Sequence, residues 1–395
     1  SILRIKRFFM FVYFPKNYVW SMSTVIAATH GGSIGEIDEF CRPLLEKSSD
    51  DADVGTVEFL HAWIGGADKL IRMAEQDLEK NRELSAAKKY YRAALYYLIA
   101  ERMQEQGHPE RLKVYKRYLE LAELYRKYKK DDVKRVEIPY QNSHLSAIYA
   151  KGKTTDEKQA IVVMMNGLDS TKELMSYSPL ADELVERGIS VLMVDQPGTG
   201  EAIRLQDLRA VYNSEIWATP IVDWLCEQPE IDQNRIAAFG ISLGGYYCPR
   251  AVAFEPRFCC AAIWGANHDW RAVQQARLKR EGENPVPHYW KHVEWVFGAK
   301  DQKEFFEIAE NMHLNGILDR IKVPFLVTHG EKDRQIPLKY AYETYDQLIN
   351  SPDKELLVID DEMGGVEHSS IDNPLNAGAY IADWLAEHLG GRTSK

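Results

Sequence analysis

From about residue 55 to residue 130 the apolar positions never settle into alternation. Strong helix formers dominate instead, as in Glu79-Lys80, Ala86-Ala87-Lys88-Lys89 and Ala93-Ala94-Leu95, so the region predicts helices. Val114, Tyr118, Leu121, Tyr125 and Tyr128 recur at steps of four and three, which lays an apolar and aromatic stripe along one helix face. Gly107-His108-Pro109 parts that helix from its predecessor. Residues 86–100 resemble one helix of a tetratricopeptide repeat, yet no second copy follows at the required period. A helical cap or subunit-contact domain is therefore expected rather than a peptide-binding solenoid.

After Val133 the rhythm changes. Short apolar runs at 136–139, 145–150, 160–165, 190–194, 236–239, 259–264, 325–328 and 356–359 alternate with helical stretches such as 181–187, 243–254 and 338–349. Several runs are continuously apolar, as parallel strands covered on both faces are. The expected fold is α/β: a mostly parallel, doubly wound sheet preceded by an antiparallel pair. About fifty residues, 269–321, break the rhythm with Trp, His and charge, including Trp290, Trp295 and Phe305-Phe306. They follow a strand end, where the active sites of such sheets lie, and predict a helical lid. The expected division is a segment and helical cap or dimerisation domain over 1–132 and a catalytic domain over 133–395.

Composition narrows the function. With 49 basic against 59 acidic residues the 395-residue chain carries a formal net charge of -10, which argues against nucleic acid as a partner. Cys41, Cys226, Cys248, Cys259 and Cys260 show neither C-x-x-C pairing nor metal-ligand spacing. This odd, unpatterned set points to a reducing, cytoplasmic setting, with Cys259 and Cys260 read as buried thiols on a strand. Arg4-Ile5-Lys6-Arg7 precedes the apolar run from Phe8 to Phe14, but Pro15-Lys16-Asn17 ends it and no Ala-x-Ala follows. We read a segment packed on the body rather than a secretory signal. A start at Ser1 rather than Met points to a trimmed N-terminus. No other run approaches about 18 apolar residues, so no membrane span is expected.

The chemistry concentrates at Gly240-Ile241-Ser242-Leu243-Gly244-Gly245, a G-x-S-x-G motif with a strand before it and a helix after it. A serine on so tight a turn stands clear of the backbone, and the Leu243 N–H at the helix start favours a developing oxyanion. A serine hydroxyl needs a base, and the base a carboxylate to orient it. Asp333, in His329-Gly330-Glu331-Lys332-Asp333, and His368, in Gly364-Gly365-Val366-Glu367-His368, both fall at the strand ends where Ser242 lies. They are the candidates, with Glu331, Asp360 and Asp361 as alternative acids. Among the other histidines, His329 reads as structural, His313 as part of the helical insertion and His144 as part of an early turn. The loop after the third strand, Asn166-Gly167-Leu168-Asp169-Ser170, offers the Leu168 N–H as second oxyanion donor, against an ordinary strand-ending turn. Gly198-Thr199-Gly200 invites a phosphate-binding reading, but the G-x-G-x-x-G spacing fails. No H-E-x-x-H or paired C-x-x-C is present, so no metal or organic cofactor is expected.

The triad order and sheet order are similar to the α/β-hydrolase fold. Four segments carry a closer resemblance from about residue 60 to the C-terminus: Tyr90-Tyr91-Arg92-Ala93-Ala94-Leu95-Tyr96-Tyr97, Asn-Gly-Leu-Asp-Ser-Thr-Lys-Glu over 166–173, Asp-Gln-Pro-Gly-Thr-Gly-Glu over 195–201 and Gly-Ile-Ser-Leu-Gly-Gly-Tyr-Tyr over 240–247. Together they resemble the dihydroxypseudooxynicotine hydrolases and the related fungal hydrolases that shorten polyketides in melanin synthesis. The resemblance implies cleavage of a carbon–carbon bond next to a ketone by Ser242, Asp333 and His368, without a metal, in a homodimer. It also implies an extra carboxylate near the end of the strand after the nucleophile helix. Asn267-His268-Asp269 stands there, so His268 and Asp269 are candidates for that auxiliary role, although no Glu matches.

Three function classes stay open: a carbon–carbon bond hydrolase acting on a small aromatic or polyketide-like ketone, a carboxylesterase or acyl-transfer enzyme, and a ligand-binding relative with vestigial catalysis. Tyr90, Tyr91, Tyr96 and Tyr97 in the helical region, and Trp270, Tyr289, Trp290 and Trp295 in the insertion, predict an apolar, closed site beneath two covers. The stripe through Val114, Tyr118, Leu121 and Tyr125 is expected instead to face a second subunit.

Overall fold

A computed structural model of the chain describes residues 10–395. The charged start and the first residues of the apolar run, Phe8 and Phe9, lie outside the described residues. Within them, Phe14 is buried edge-on to Trp20, with ring centroids 5.3 Å apart, while Phe11 is exposed. Two compact units divide the chain. One comprises the described residues up to Asp132 together with Asn284–His292; the other comprises Val133–Glu283 and Val293–Lys395.

The first unit is helical: α1 (Tyr18–Thr29), α2 (Ile34–Cys41), α3 (Thr56–Glu79), α4 (Glu83–Arg102) and α5 (Arg111–Lys129). Its centre is aromatic. Phe40, Phe59, Trp63 and Tyr96 are all buried, with ring centroids 4.9–5.7 Å apart in pairs. The Arg111 guanidinium reaches the buried Glu101 carboxylate at 2.8 Å and ties α5 to α4. Val114, Tyr118 and Leu121 are buried inside this unit, and Tyr125 and Tyr128 meet Tyr91 and Tyr90 of α4. The stripe expected to face a second subunit is thus intramolecular core. A helix packed against one neighbour needs the same three-and-four periodicity as one at an interface. Tyr96 and Tyr97 are buried and donate their hydroxyls to Glu36 at 2.7 Å and Asp68 at 2.5 Å.

The second unit holds an eight-stranded sheet: β1 (Val133–Tyr140), β2 (Ser143–Ala150), β3 (Gln159–Met165), β4 (Ser190–Val194), β5 (Ile231–Ile241), β6 (Ala261–Trp264), β7 (Phe325–Gly330) and β8 (Lys354–Ile359), in spatial order β1-β2-β4-β3-β5-β6-β7-β8. β1 pairs antiparallel with β2, and β2 with β4; every later pairing is parallel. β3, β4, β6 and β7 are buried along their whole length, because helices cover both faces of a sheet built from crossover connections. The helices that contact its strands are α6 (Lys172–Ser176), α7 (Pro179–Glu186), α8 (Gly200–Leu205), α9 (Glu215–Cys226), α10 (Gly244–Phe254), α14 (Lys339–Gln347) and α15 (Pro374–Leu389), while α11 (Trp270–Leu278), α12 (Tyr289–Phe297) and α13 (Gln302–Ala309) follow one another between β6 and β7. One core layer joins Val162, Met164, Val191, Met193 and Phe239 to Leu180, Leu184, Ile381 and Leu385 of α7 and α15.

Local readings need correction here. His144 belongs to β2 rather than a turn. His313 lies outside any helix, in an isolated bridge with Asp269. Cys259 and Cys260 precede β6 instead of lying on it, and Cys259 is only partly buried. The stretch expected to form a lid holds α11, α12 and α13, but Asn284–His292 groups with the helical unit, so the stretch is not one body. Trp270 packs on Phe297 and Phe305 at 5.2 and 5.7 Å, core contacts of its own unit. Among the described residues no helix is long and apolar enough to cross a membrane.

Candidate active site

β5 ends at Ile241 and α10 begins at Gly244, leaving two residues for the reversal. Ser242 takes up the turn with φ +57°, a left-handed conformation that costs a side-chain-bearing residue roughly 1–2 kcal/mol. Its N–H donates to the Trp264 carbonyl at 3.0 Å, and its C=O accepts from Gly245 N–H at 2.7 Å. The strain is therefore held from the neighbouring strand and from the first turn of the helix.

The Ser242 hydroxyl lies 2.7 Å from His368 Nε2, and His368 Nδ1 lies 2.8 Å from Asp333 Oδ2. The Asp333 side chain is fully buried at the end of β7. Its Oδ1 accepts from the N–H groups of Gln335 at 2.8 Å and Ile336 at 2.9 Å. Burial opposes its charge, but chiefly His368, with the Ile336 N–H, outweighs burial and holds the carboxyl below its ordinary value. A carboxylate can only accept, so Nδ1 of His368 carries the proton, and the Nε2 of a neutral ring accepts from Ser242. The residues after His368 are themselves strained, with φ +50° at Ser369 and +52° at Ser370. That turn is pinned where Trp264 Nε1–H donates to Ser370 Oγ at 3.0 Å and the Asp372 carboxylate accepts from Val366 and Glu367 N–H.

The alternative acids do not reach the imidazole. Asp361 pairs with Lys332 at 2.7 Å, Asp360 accepts from Met363 N–H at 3.0 Å, and Glu331 is exposed. His329 is fully buried: its Nδ1 accepts from Ala266 N–H, and its Nε2 faces the Ile336 carbonyl, both at 2.9 Å. Burial lowers its pKa, and an Nδ1 that accepts from Ala266 N–H carries no proton. His268, also buried, spans Thr344 Oγ1 at 3.0 Å and Asn315 Oδ1 at 2.7 Å. Asp269 caps α11 by accepting from Ala272 N–H at 3.1 Å and pairs with Arg271. Neither joins the Ser242–His368–Asp333 chain. Both have structural work, which the pattern of charges alone does not reveal.

For the oxyanion, Leu243 opens α10 and Leu168 lies in the loop after β3; both are buried. Among the described residues neither N–H is engaged by a protein acceptor, so both donors remain open to a ligand. Among the described residues, too, no group of three or more His, Cys, Asp or Glu side chains is arranged to hold a metal ion.

Sequence reasoning missed a buried charge cluster beside this loop. Lys172, wholly enclosed, meets Asp195 at 2.6 Å, Glu201 at 2.6 Å and Glu173 at 2.8 Å, and Arg135 grips Glu201 through two nitrogens. Burial works against the ammonium, yet the three carboxylates raise its pKa above the usual lysine value. Burial likewise opposes ionised Glu201, but Arg135 and Lys172 hold it down to about 2. The signal was present as Lys172-Glu173 and the Asp195/Glu201 pair, but charged residues read as solvated until the sheet order brings them together.

Known proteins resemble the chain over most of its length. It is 24% identical over 335 residues to 2,6-dihydropseudooxynicotine hydrolase of Paenarthrobacter nicotinovorans, covering 83% of each chain. It is 26% identical to hydrolase LUC6 of a Fusarium species (84% and 88% covered) and 26% identical to 20-hydroxy-prefusarin hydrolase of Gibberella moniliformis (68% and 72%). The crystal structure of 2,6-dihydroxy-pseudo-oxynicotine hydrolase shares the fold, with a TM-score of 0.76 at 22% identity over 92% of this chain and 95% of that one. A prolyl oligopeptidase family model matches residues 176–392 and an FrsA-like esterase model residues 59–269, each more than half of the chain. With the elbow, the sheet and both matches in agreement, the chain belongs to the prolyl oligopeptidase and FrsA-like esterase families of α/β-hydrolases.

Proposed function

We propose that the chain is a serine hydrolase that cleaves a carbon–carbon bond next to a ketone in an aromatic or polyketide-like substrate. The observation that carries the reading is the unbroken run of hydrogen bonds from Ser242 Oγ through His368 to Asp333 on a strained elbow. In this reading Ser242 Oγ attacks the ketone carbon and its proton passes to His368 Nε2, while Asp333 steadies the imidazolium. The N–H groups of Leu168 and Leu243 take the negative oxygen of the tetrahedral intermediate. In a substrate with a second carbonyl β to the first, the electron pair of the breaking carbon–carbon bond leaves onto that carbonyl as an enolate, and His368 returns the proton to the enolate carbon. Water, deprotonated by the same histidine, then releases the acid from Ser242. Two relatives whose names carry ketone-bearing substrates, the pseudooxynicotine and prefusarin hydrolases, support the substrate class.

The match to the FrsA-like esterase model favours a second reading, a carboxylesterase with the same acyl-enzyme. Incubation with a panel of β-diketones and aryl esters, products read by mass, separates the two. Acid plus ketone from a β-diketone supports the first reading, and turnover of esters alone selects the second. The family resemblance extends the proposal to a homodimer, measurable by sedimentation, and the five free thiols suit a reducing, cytoplasmic setting.

A further inference from the structure

The loop from Asn166 to Lys172 leaves β3 and runs beside the nucleophile: a Cβ at Gly167 would lie 3.1 Å from Ser242 Cβ and 3.5 Å from its Oγ. Little room exists for this backbone to drift, and an oxyanion donor must be held to within about 0.5 Å to be useful. Two consecutive residues at the end of the neighbouring strand hold it. Gln196 Oε1 accepts from Asn166 N–H at 3.0 Å, and Gln196 Nε2 donates to Asn166 C=O at 2.9 Å, so one amide takes both polar groups of the residue that starts the loop. Asn166 Nδ2 adds a bond to the Val194 carbonyl at 2.9 Å. At the far end Asp195 Oδ1 accepts from Lys172 N–H at 2.9 Å and Oδ2 from Lys172 Nζ at 2.6 Å. Asp195 Oδ2 also accepts from Glu201 N–H at 3.0 Å, which anchors the carboxylate itself to the start of α8. All of these side chains are buried. The parallel register that pairs Met165 with Val194 delivers Asn166 to Asp195 and Gln196 directly beyond the last ladder rung.

We infer that Asp195 and Gln196 are positioning residues of the reaction: they clamp the two ends of the Asn166–Lys172 loop and thereby aim the Leu168 N–H at the oxyanion. The inference rests on the serine-hydrolase reading. Bonds that merely stabilised the fold could lie anywhere along the loop. These close on its two ends, on either side of Gly167, which lies against Ser242. The Gln196 amide bonds both peptides that flank Asn166, so it fixes the tilt of the peptide that leaves β3 and of the one that enters the loop toward Gly167, which a single bond would not.

The test compares wild type, Gln196→Ala and Gln196→Glu by the second-order rate at which a fluorophosphonate labels Ser242, read as intact mass, and by kcat and KM for a 4-nitrophenyl ester. Phosphonylation also develops negative charge on an oxygen that the two N–H groups would hold. Wild type should label at Ser242, and Gln196→Ala should label about 10–100-fold more slowly, with kcat falling by that factor, KM nearly unchanged and the melting temperature lowered because the buried Asn166 N–H and C=O lose their partner. Gln196→Glu keeps the size and the acceptor for Asn166 N–H but turns an acceptor oxygen on Asn166 C=O, so it too should label more slowly than wild type; it decides the matter should Gln196→Ala fail to fold. Labelling of both variants at the wild-type rate overturns the clamp alone. Failure of wild type to label at Ser242 overturns the serine-hydrolase reading, and the clamp with it.

Discussion

Gly240 and Gly244, which bracket the Ser242 turn, pass so close that a methyl group on Gly240 would overlap the Gly244 carbonyl oxygen and press on Cys248 Cβ at 2.8 Å. Both obstacles belong to α10, so relief would require the helix to move off the sheet. Gly240→Ala is therefore expected to destabilise the chain by about 3 kcal/mol or more. Denaturant melts check this, and fluorophosphonate labelling of any folded remainder should be lost.

Ser242 combines the proposed nucleophile with left-handed backbone. Ser242→Ala removes the hydroxyl and keeps the strain, whereas Ser242→Gly removes both. Each should lower turnover by roughly three orders of magnitude or more. The glycine variant should melt above the alanine variant, by a difference equivalent to about 1 kcal/mol. Equal activity of wild type and Ser242→Ala would end the assignment.

Asp333 should act through His368. Asp333→Asn preserves shape but offers Nδ1 an amide, which favours the wrong tautomer; turnover should fall by about 10⁴. The folded-state pKa of Asp333 lies below its ordinary 3.8, so the charged carboxylate stabilises the fold above that value, and this contribution is lost as pH falls through the lower folded value. Wild type should therefore lose stability relative to Asp333→Asn on acidification below about 4, which melts across a pH series will show.

Glu201 makes a similar case away from the nucleophile. Its carboxyl is held at about 2 against an ordinary 4.5, so its stabilisation is complete above the ordinary value and disappears as pH falls toward the folded one. Glu201→Gln should cost roughly 1–3 kcal/mol at neutral pH, because Lys172 keeps two other carboxylates while Arg135 loses its buried partner. The gap to wild type should close on acidification, since protonated Glu201 is nearly the isostere of glutamine. A gap that stayed constant down to pH 2 would contradict the ion-pair assignment.

The runs of β3, β4, β6 and β7 were legible as strands because strands buried on both faces leave continuous apolar signatures, while β1 and β8, only partly buried, left weaker ones. The meeting of Ser242, Asp333 and His368 was legible because strand ends of one sheet collect residues that stand far apart in the chain. The α5 stripe was legible as a helix face, but periodicity reports that a face is covered and says nothing of what covers it; α4 does so. The Lys172 cluster was not legible, since its partners are 23 and 29 residues away and only the β3–β4 pairing brings Asp195 and Glu201 to the ammonium. Gln196 had no local pattern to mark it, because a side chain that bonds backbone leaves no trace in the identity of its partner.

The burial of Lys172 bears on how faithfully the sheet assembles. If β4 were to pair with β3 one residue out of step, Asp195 would turn to the opposite face, and the Lys172 ammonium would enter the interior without its 2.6 Å partner, with the adjacent Glu173 left to face it. A well-packed wrong register of these Val- and Met-rich strands loses little apolar contact, whereas breaking up a buried ion cluster costs several kcal/mol. In strands where one apolar side chain substitutes so readily for the next, the lysine acts as a proofreader: it admits the register that also seats the loop beside Ser242 and rejects its near neighbours.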